Sequence, residues 1–183
     1  ISELFSSQEV KVILGDVSVS TELLNLPFDH IFFTGSPSVG KIVMTAAAKN
    51  LTSVTLELGG RNPTIVDETA NIKDAAQKIV WGKFINSGQT CIAPNYILVH
   101  EKQAEALKKA LIEQITIQFP ITDESRTKIV NPIHYKRLVD LLEVTQKEEG
   151  EILVGGVVNP DKNFISPTLV SNLTSKSSIF KEE

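Results

Sequence analysis

The chain contains a single cysteine and no long apolar run. Because Cys91 stands alone among 183 residues, an internal disulfide and a zinc site built from several cysteines are both excluded. No apolar stretch approaches the roughly 20 residues that a membrane-spanning helix requires, and the first residues show no leader pattern. We therefore expect no membrane segment in this chain and a cytoplasmic location.

The chain also lacks an excess of positive charge. It has 18 Lys and Arg residues against 22 Asp and Glu residues, for a net charge of -4, and the basic residues are scattered along the sequence. This distribution argues against nucleic acid as a partner. The three histidines, His30, His100 and His134, lie far apart without metal-ligand spacing, so no metal site is expected.

Apolar patterns predict alternating strands and helices over most of the chain. Strands are predicted at 10–14, 31–33, 54–56, 64–66, 96–99, 152–154 and 169–170, and helices at 21–26, 37–49, 72–84, 103–118 and 126–147. The order strand, helix, strand, helix, strand over residues 10–56 implies parallel pairing in that part, and the alternation as a whole implies an α/β fold. The pattern changes at Gly59-Gly60, which predicts a domain boundary that separates residues 1–58 from 59–183.

The stretch from Gly35 to Ile42, Gly-Ser-Pro-Ser-Val-Gly-Lys-Ile, joins a predicted strand to a predicted helix. It lacks the Ser or Thr that a phosphate loop places after Gly-Lys to bind magnesium, since Ile42 stands there. A nucleoside triphosphatase is therefore disfavoured. Backbone N–H groups at the positive end of a helix still suit a pyrophosphate. The alternative is that Gly35 and Gly40 only allow a tight turn and close helix packing.

Two further residues are candidates for catalysis. Glu57 ends an apolar strand before two glycines, where desolvation would favour a general base, although a carboxylate at such a position can also be a solvated turn residue. Cys91 follows Gly88 in a turn that leads into a strand, a position that can present a thiol to a cleft. Its alternative role is that of a small buried hydrophobe.

Together these stretches resemble the aldehyde dehydrogenase superfamily. The matching motifs are Phe-Thr-Gly-Ser at 33–36 followed by Gly40, Leu-Glu-Leu-Gly-Gly at 56–60, and Gly-Gln-Thr-Cys at 88–91. The intervening sequence looks most like the class three branch, which acts on fatty and aromatic aldehydes. The resemblance implies a Rossmann-like parallel-sheet remnant followed by the α/β catalytic domain of that family.

The resemblance also implies roles for individual residues. Cys91 would be the nucleophile and Glu57 the general base, with NAD or NADP as the coenzyme. The residues expected to contact the coenzyme are Thr34, Gly35, Ser36, Gly40, Leu58, Gly59 and Glu183. Pro37, Arg61 and Asn95 depart from the residues common in the family. The expected partners are a small aldehyde and a second copy of the chain in a dimer.

Both ends of the chain look cut by comparison with the family. The first strands of the coenzyme domain and the upstream asparagine of the oxyanion site would be missing, so we expect little dehydrogenase turnover from these 183 residues alone. Two other functions stay open: a non-catalytic module that folds and self-associates, and a coenzyme-independent thiol enzyme that transfers acyl groups or hydrolyses esters. The identity of the aldehyde and the preference between NAD and NADP are not predicted.

Overall fold

The computed structural model describes residues 3–120, 122 and 126–181. The chain forms two compact units, Ile1–Gly59 (unit 1) and Gly60–Glu183 (unit 2). The division falls one residue after the boundary expected from the sequence. The assignment of these units as coenzyme and catalytic domains stays a prediction.

Unit 1 is built on two parallel strands and one long helix. Its elements are α1 (Val17–Leu23), β1 (His30–Gly35), α2 (Pro37–Ala48) and β2 (Ser53–Leu58). Strands β1 and β2 pair in parallel over six residues, and α2 packs on both. The buried positions of α2 are Gly40, Val43 and Ala47, whose spacing places them on one face of the helix. The core of unit 1 therefore lies between α2 and the two strands.

Unit 2 contains a parallel strand pair, three helices and two small antiparallel pairs. Its elements are β3 (Asn62–Val66), α3 (Ile72–Phe84), β4 (Pro94–Val99), α4 (Ala104–Gln118), α5 (Pro132–Lys147), β5 (Glu151–Val154), β6 (Val158–Asn159), β7 (Phe164–Ile165) and β8 (Leu169–Ser171). Strands β3 and β4 are parallel, whereas β5 pairs with β8 and β6 with β7 in antiparallel fashion. The predicted α/β class is confirmed.

Packing between α3 and α4 forms the core of unit 2. The buried residues of this core are Val66, Ala76, Ile79, Val80, Leu107, Leu111 and Ile115. On α4, the positions 107, 111 and 115 repeat every four residues and face α3. The Phe84 and Phe119 rings, at the carboxyl ends of the two helices, lie 5.7 Å apart. This core anchors the chain that leads from α3 into the loop bearing Cys91.

Three predicted elements differ from the structure. Residues 10–14 form no strand, and the apolar side chains of Val12, Ile13 and Leu14 are exposed. A strand needs a hydrogen-bonding partner, and the described residues provide none there. Helix α5 begins at Pro132 rather than near 126, because the Asn131 side chain caps it by accepting from the N–H of His134. Helix α1 spans Val17–Leu23 rather than 21–26, because the Asp16 side chain caps it by accepting from the N–H groups of Ser18 and Val19. In addition, the short strands β6 and β7 were not predicted.

Candidate active site

The glycine turn of unit 1 connects β1 directly to α2. Ser36 is the N-cap, and its Oγ accepts a hydrogen bond from the N–H of Val39 at 3.3 Å. Pro37 occupies the first helical turn, where its missing N–H costs nothing. The hydroxyl oxygens of Ser36 and Ser38 lie 2.9 Å apart. The turn therefore presents hydroxyl groups at the positive end of a twelve-residue helix.

Gly40 is buried in α2 and approaches β2 closely. A Cβ atom at this position would lie 2.9 Å from Cδ2 of Leu58, which is closer than side chains pack. Within the described residues Gly40 thus acts in helix-to-strand packing, which was one of its two predicted roles. Its expected contact with a coenzyme stays a prediction.

The register of β1 and β2 brings several predicted site residues together. Thr34 pairs with Glu57, and Gly35 pairs with Leu58, at the carboxyl ends of both strands. Ligands of parallel α/β sheets bind at this end of the strands. The Glu57 side chain is exposed, so unit 1 itself does not supply the desolvation expected from the sequence.

The loop that carries Cys91 starts with three successive residues in the left-handed region. After α3 ends, φ is 52° at Asn86, 54° at Ser87 and 75° at Gly88. Left-handed backbone costs a residue with a Cβ about 1–2 kcal/mol, so surrounding contacts must hold this conformation. We call residues 86–93 the thiol loop. The Oγ of Ser87 donates to the carbonyl oxygen of Thr127, which ties the loop to the chain before α5.

Cys91 is exposed at the centre of the thiol loop. Its carbonyl oxygen accepts a hydrogen bond of 2.8 Å from Nδ2 of Asn62, which also donates to the carbonyl oxygen of Ala93 at 3.1 Å. Among the residues that the structure describes, no acceptor bonds the N–H of Cys91. The thiol of Cys91 is therefore accessible. The carbonyl oxygen of Cys91 is held by Asn62 at the start of β3, and the N–H of Cys91 can donate to a ligand.

Two residues of this site were missed as functional candidates by the sequence reasoning. Asn62 gave no signal beyond its place before Pro63, because its partners lie 29 and 31 residues away. Gln89 stood inside the quoted Gly-Gln-Thr-Cys motif, but no role was assigned to its side chain. That amide makes three hydrogen bonds, with the backbone of Asn86, Lys128 and Val130.

The remaining predicted residues occupy different parts of the chain. Thr34, Gly35, Ser36, Gly40, Glu57, Leu58 and Gly59 belong to unit 1, and Cys91 belongs to unit 2. Glu183 lies outside the described residues. In the part of the chain that the structure covers, no group of three or more His, Cys, Asp or Glu side chains could hold a metal ion. No helix there is both long enough and apolar enough to cross a membrane.

An open groove of about 680 Å³ lies along α5. Its walls include Ile133, Leu141 and Val144, with Lys136 and Arg137 among the charged residues. None of the predicted site residues lines it. The groove is thus separate from the thiol loop, since no residue of that loop lines it.

Comparison with known proteins gives a consistent family match. The model described as "Aldehyde dehydrogenase family" matches residues 7–183. A 4,4'-diaponeurosporen-aldehyde dehydrogenase of Staphylococcus aureus (strain NCTC 8325 / PS 47) is 46% identical over 100% of the chain and 40% of the relative. The mouse aldehyde dehydrogenase family 3 member B2 is 42% identical, over 94% of the chain and 36% of the relative. A canine aldehyde dehydrogenase named "dimeric NADP-preferring" is 42% identical, over 94% of the chain and 38% of the relative.

Solved structures agree with this match. A Staphylococcus aureus structure described as the substrate-bound state of AldH superposes with a TM-score of 0.90 and 46% identity, covering 100% of this chain and 40% of that one. Betaine aldehyde dehydrogenase of the same species, in complex with NAD+, gives a TM-score of 0.80 at 28% identity, covering 91% of this chain and 35% of that one. The chain thus spans about 40% of the length of these curated relatives.

Proposed function

Because the chain belongs to the aldehyde dehydrogenase family, we propose that its residues oxidise an aldehyde to a carboxylic acid with NAD or NADP. The observation that carries this proposal is the exposed Cys91 thiol on a loop whose backbone is fixed by Asn62 and Gln89. An accessible nucleophile on a rigid loop is what covalent catalysis at a carbonyl requires.

Cys91 is the proposed nucleophile. Its thiolate attacks the aldehyde carbon, and the carbonyl oxygen becomes the oxyanion of a tetrahedral thiohemiacetal. The N–H of Cys91, which bonds no acceptor in the described part of the chain, is the proposed donor to that oxyanion. Loss of hydride from the former aldehyde carbon leaves a thioester on Cys91.

Glu57 is the proposed general base. Its carboxylate takes a proton from water, and the resulting hydroxide attacks the thioester carbonyl and releases the carboxylic acid with the free thiol. Its exposure at the end of β2 leaves the carboxylate accessible to that water. The pairing of Glu57 with Thr34 ties it to the same end of the sheet as the glycine turn.

The glycine turn fits the anionic part of a dinucleotide. The N-terminus of α2 supplies a positive helix end, and Ser36 and Ser38 supply hydroxyl groups. We propose that Thr34, Gly35, Ser36 and Gly40, together with Leu58, Gly59 and Glu183, contact the coenzyme, whose nicotinamide ring accepts the hydride when bound. Relatives that bear the words "NADP-preferring" and "in complex with NAD+" support both coenzymes.

Trapping the acyl group on Cys91 tests the function. The chain is incubated with benzaldehyde or hexanal and with NAD or NADP, and its intact mass is followed over time. We expect little turnover from these 183 residues alone, but a single slow cycle is enough for detection. In E57Q the thioester should therefore accumulate toward one acyl adduct per chain, since its hydrolysis lacks the base. C91S should give no adduct, and E22Q, which alters an exposed carboxylate on α1, should behave as wild type.

Two results would contradict the proposal. An acyl adduct that forms on C91S would reject Cys91 as the nucleophile. Absence of any adduct in E57Q, with an alkylation rate of Cys91 that neither coenzyme changes, would favour the non-catalytic module instead.

We also propose that the chain self-associates. The canine relative is named dimeric, and within the described residues the pairs β1–β2 and β3–β4 each leave strand edges without a partner. Light-scattering mass should give a dimer, and a monomer at concentrations of about 100 µM would reject this. The cytoplasmic location expected from the sequence stays a prediction.

A further inference from the structure

Something must hold the thiol loop in its costly conformation. Asn86 and Ser87 both carry a Cβ and both lie in the left-handed region. The loop's own backbone bonds are short-range: the N–H of Gln89 donates to the carbonyl oxygen of Asn86, and the N–H of Thr90 to that of Gly88. These bonds follow the turn but do not attach it to the rest of unit 2.

Two side chains supply that attachment: the Oγ of Ser87 donates to the carbonyl oxygen of Thr127, and the amide of Gln89 makes the larger set of bonds. The Gln89 Nε2 donates to the carbonyl oxygen of Asn86 at 3.1 Å and to that of Lys128 at 3.0 Å. Its Oε1 accepts from the N–H of Val130 at 2.9 Å. One amide thus joins the left-handed turn to two residues about 40 positions further along the chain.

The segment on the far side of Gln89 is itself fixed. Ile129, between the two bonded residues, is only 5% exposed, and its N–H donates to the carbonyl oxygen of Asn163 at 2.9 Å. Asn131 then caps α5. Gln89 therefore ties the thiol loop to residues 128–131, a segment that is anchored by the buried side chain of Ile129 and by the start of α5.

We propose that Gln89 is a positioning residue for Cys91, and this inference rests on the proposed function. By fixing the backbone from Asn86 onward, its amide orients the thiol and the N–H of Cys91 toward the same incoming carbonyl group. Without it, the bonds that still attach the thiol loop to the rest of unit 2, within the described residues, are those from Ser87 and Asn62, which leave the backbone between them free to shift. The thiol then remains nucleophilic, but the oxyanion loses its aligned donor.

Two reagents separate orientation from reactivity. p-Nitrophenyl acetate acylates Cys91 through an oxyanion and releases p-nitrophenolate, whereas iodoacetamide alkylates it by displacing iodide without forming an oxyanion. Both rates are measured against pH on the 183-residue chain by intact mass, and the limiting values for the full thiolate are compared. For each protein, the acylation rate is divided by the alkylation rate, and this ratio is compared with the same ratio measured for a small free thiol.

The near-isosteric variant Q89M should lower the acylation rate about tenfold or more, as loss or misalignment of an oxyanion donor does. Its alkylation rate should change by less than about twofold. The second variant, Q89E, keeps the acceptor for Val130 but loses both donor bonds, so its ratio should fall as well.

Q103M is the matched control. Gln103 is half-buried like Gln89, and its Nε2 likewise donates to a backbone carbonyl oxygen, that of Glu68, at 3.0 Å. It follows the carboxyl end of β4, whereas the thiol loop precedes the amino end of that strand. Its ratio should equal that of wild type.

Each outcome decides the matter. A wild-type ratio above that of the free thiol, which Q89M and Q89E bring down while Q103M does not, supports the proposal. A high ratio that persists in Q89M and Q89E overturns the role of Gln89 and leaves the proposed function standing. A wild-type ratio equal to that of the free thiol would show that the N–H of Cys91 does not stabilise the oxyanion, which overturns the inference; the acyl-trapping experiment with C91S then decides separately whether Cys91 is the nucleophile. Equal losses of both rates in the Gln89 variants would indicate a merely structural residue and overturn the inference.

Discussion

Replacing Asn62 by aspartate should destabilise unit 2 and release the thiol loop. In wild type Nδ2 of Asn62 donates to the carbonyl oxygens of Cys91 at 2.8 Å and Ala93 at 3.1 Å. The substitution N62D keeps the shape of the side chain but replaces both donated bonds by the approach of a carboxylate to two carbonyl oxygens. N62A removes the bonds without adding repulsion.

The expected loss follows from these two bonds. Each contributes about 1 kcal/mol net, so N62A should lower the free energy of unfolding by about 2 kcal/mol. The bond to Ala93 lies in the less exposed setting, since Ala93 is 6% exposed, and contributes the larger share. Repulsion in N62D should bring its loss to about 3 kcal/mol. If the free energy of unfolding falls by about 2 kcal/mol per molar urea, the unfolding midpoint should fall by about 1 M in N62A and by about 1.5 M in N62D.

Urea unfolding followed by the fluorescence of Trp81 provides the assay. Trp81 is the single tryptophan and lies on α3, so its signal reports on unit 2. N172D is the control: it makes the same chemical change in the same unit, but Asn172 is exposed and its Nδ2 bonds one carbonyl oxygen, that of Glu149, at 3.1 Å. N172D should lose no more than about 1 kcal/mol.

Equal losses in N62D and N172D would refute the reasoning. So would an N62D variant as stable as N62A at pH 7, since the carboxylate then meets no repulsion. Acidification below about pH 4 protonates the introduced carboxyl and allows it to donate one bond. The difference between N62D and N62A should therefore shrink at low pH.

Two further predictions concern the body of unit 2. Leu107 is 2% exposed in the core, so L107A should lower the free energy of unfolding, measured in urea, by about 3 kcal/mol. Ile117 lies on the same helix and is 63% exposed, so I117A should change that free energy by no more than about 0.5 kcal/mol. Equal losses in the two variants would contradict this account. Hydrogen bonds from the Oγ and N–H of Ser178 hold the pKa of Glu148 below its usual value. The stability they contribute is therefore present above about pH 4.3 and is lost as the pH falls through the lowered pKa, so E148Q should be less stable than wild type at pH 7 and equally stable near pH 2. A stability difference that does not change across this range would show that the carboxylate does not act through its charge.

Local signals in the sequence accounted for much of the fold and for the identity of the candidate residues. The strand, glycine turn and helix at β1 and α2 were predicted because apolar spacing and a Pro at the first helical turn act within a few residues. The start of α3 depends on an equally local signal, since the Asn71 side chain caps the helix by accepting from the N–H of Asp74 only three residues on. The motifs around Glu57 and Cys91 pointed to aldehyde dehydrogenases, and the family is confirmed over residues 7–183.

Only the tertiary structure decided which distant groups meet. Residues 10–14 have the apolar character of a strand but form none, because pairing depends on a partner that a local pattern does not specify. The amides of Asn62 and Gln89 read as ordinary polar residues, yet their partners lie as far as 41 residues away. Hydrogen bonds of this reach form once the strands and helices have packed. The sequence by itself therefore identified the family of the chain and Cys91 as the candidate nucleophile. The packing of unit 2 decided which hydrogen bonds hold the loop that carries Cys91.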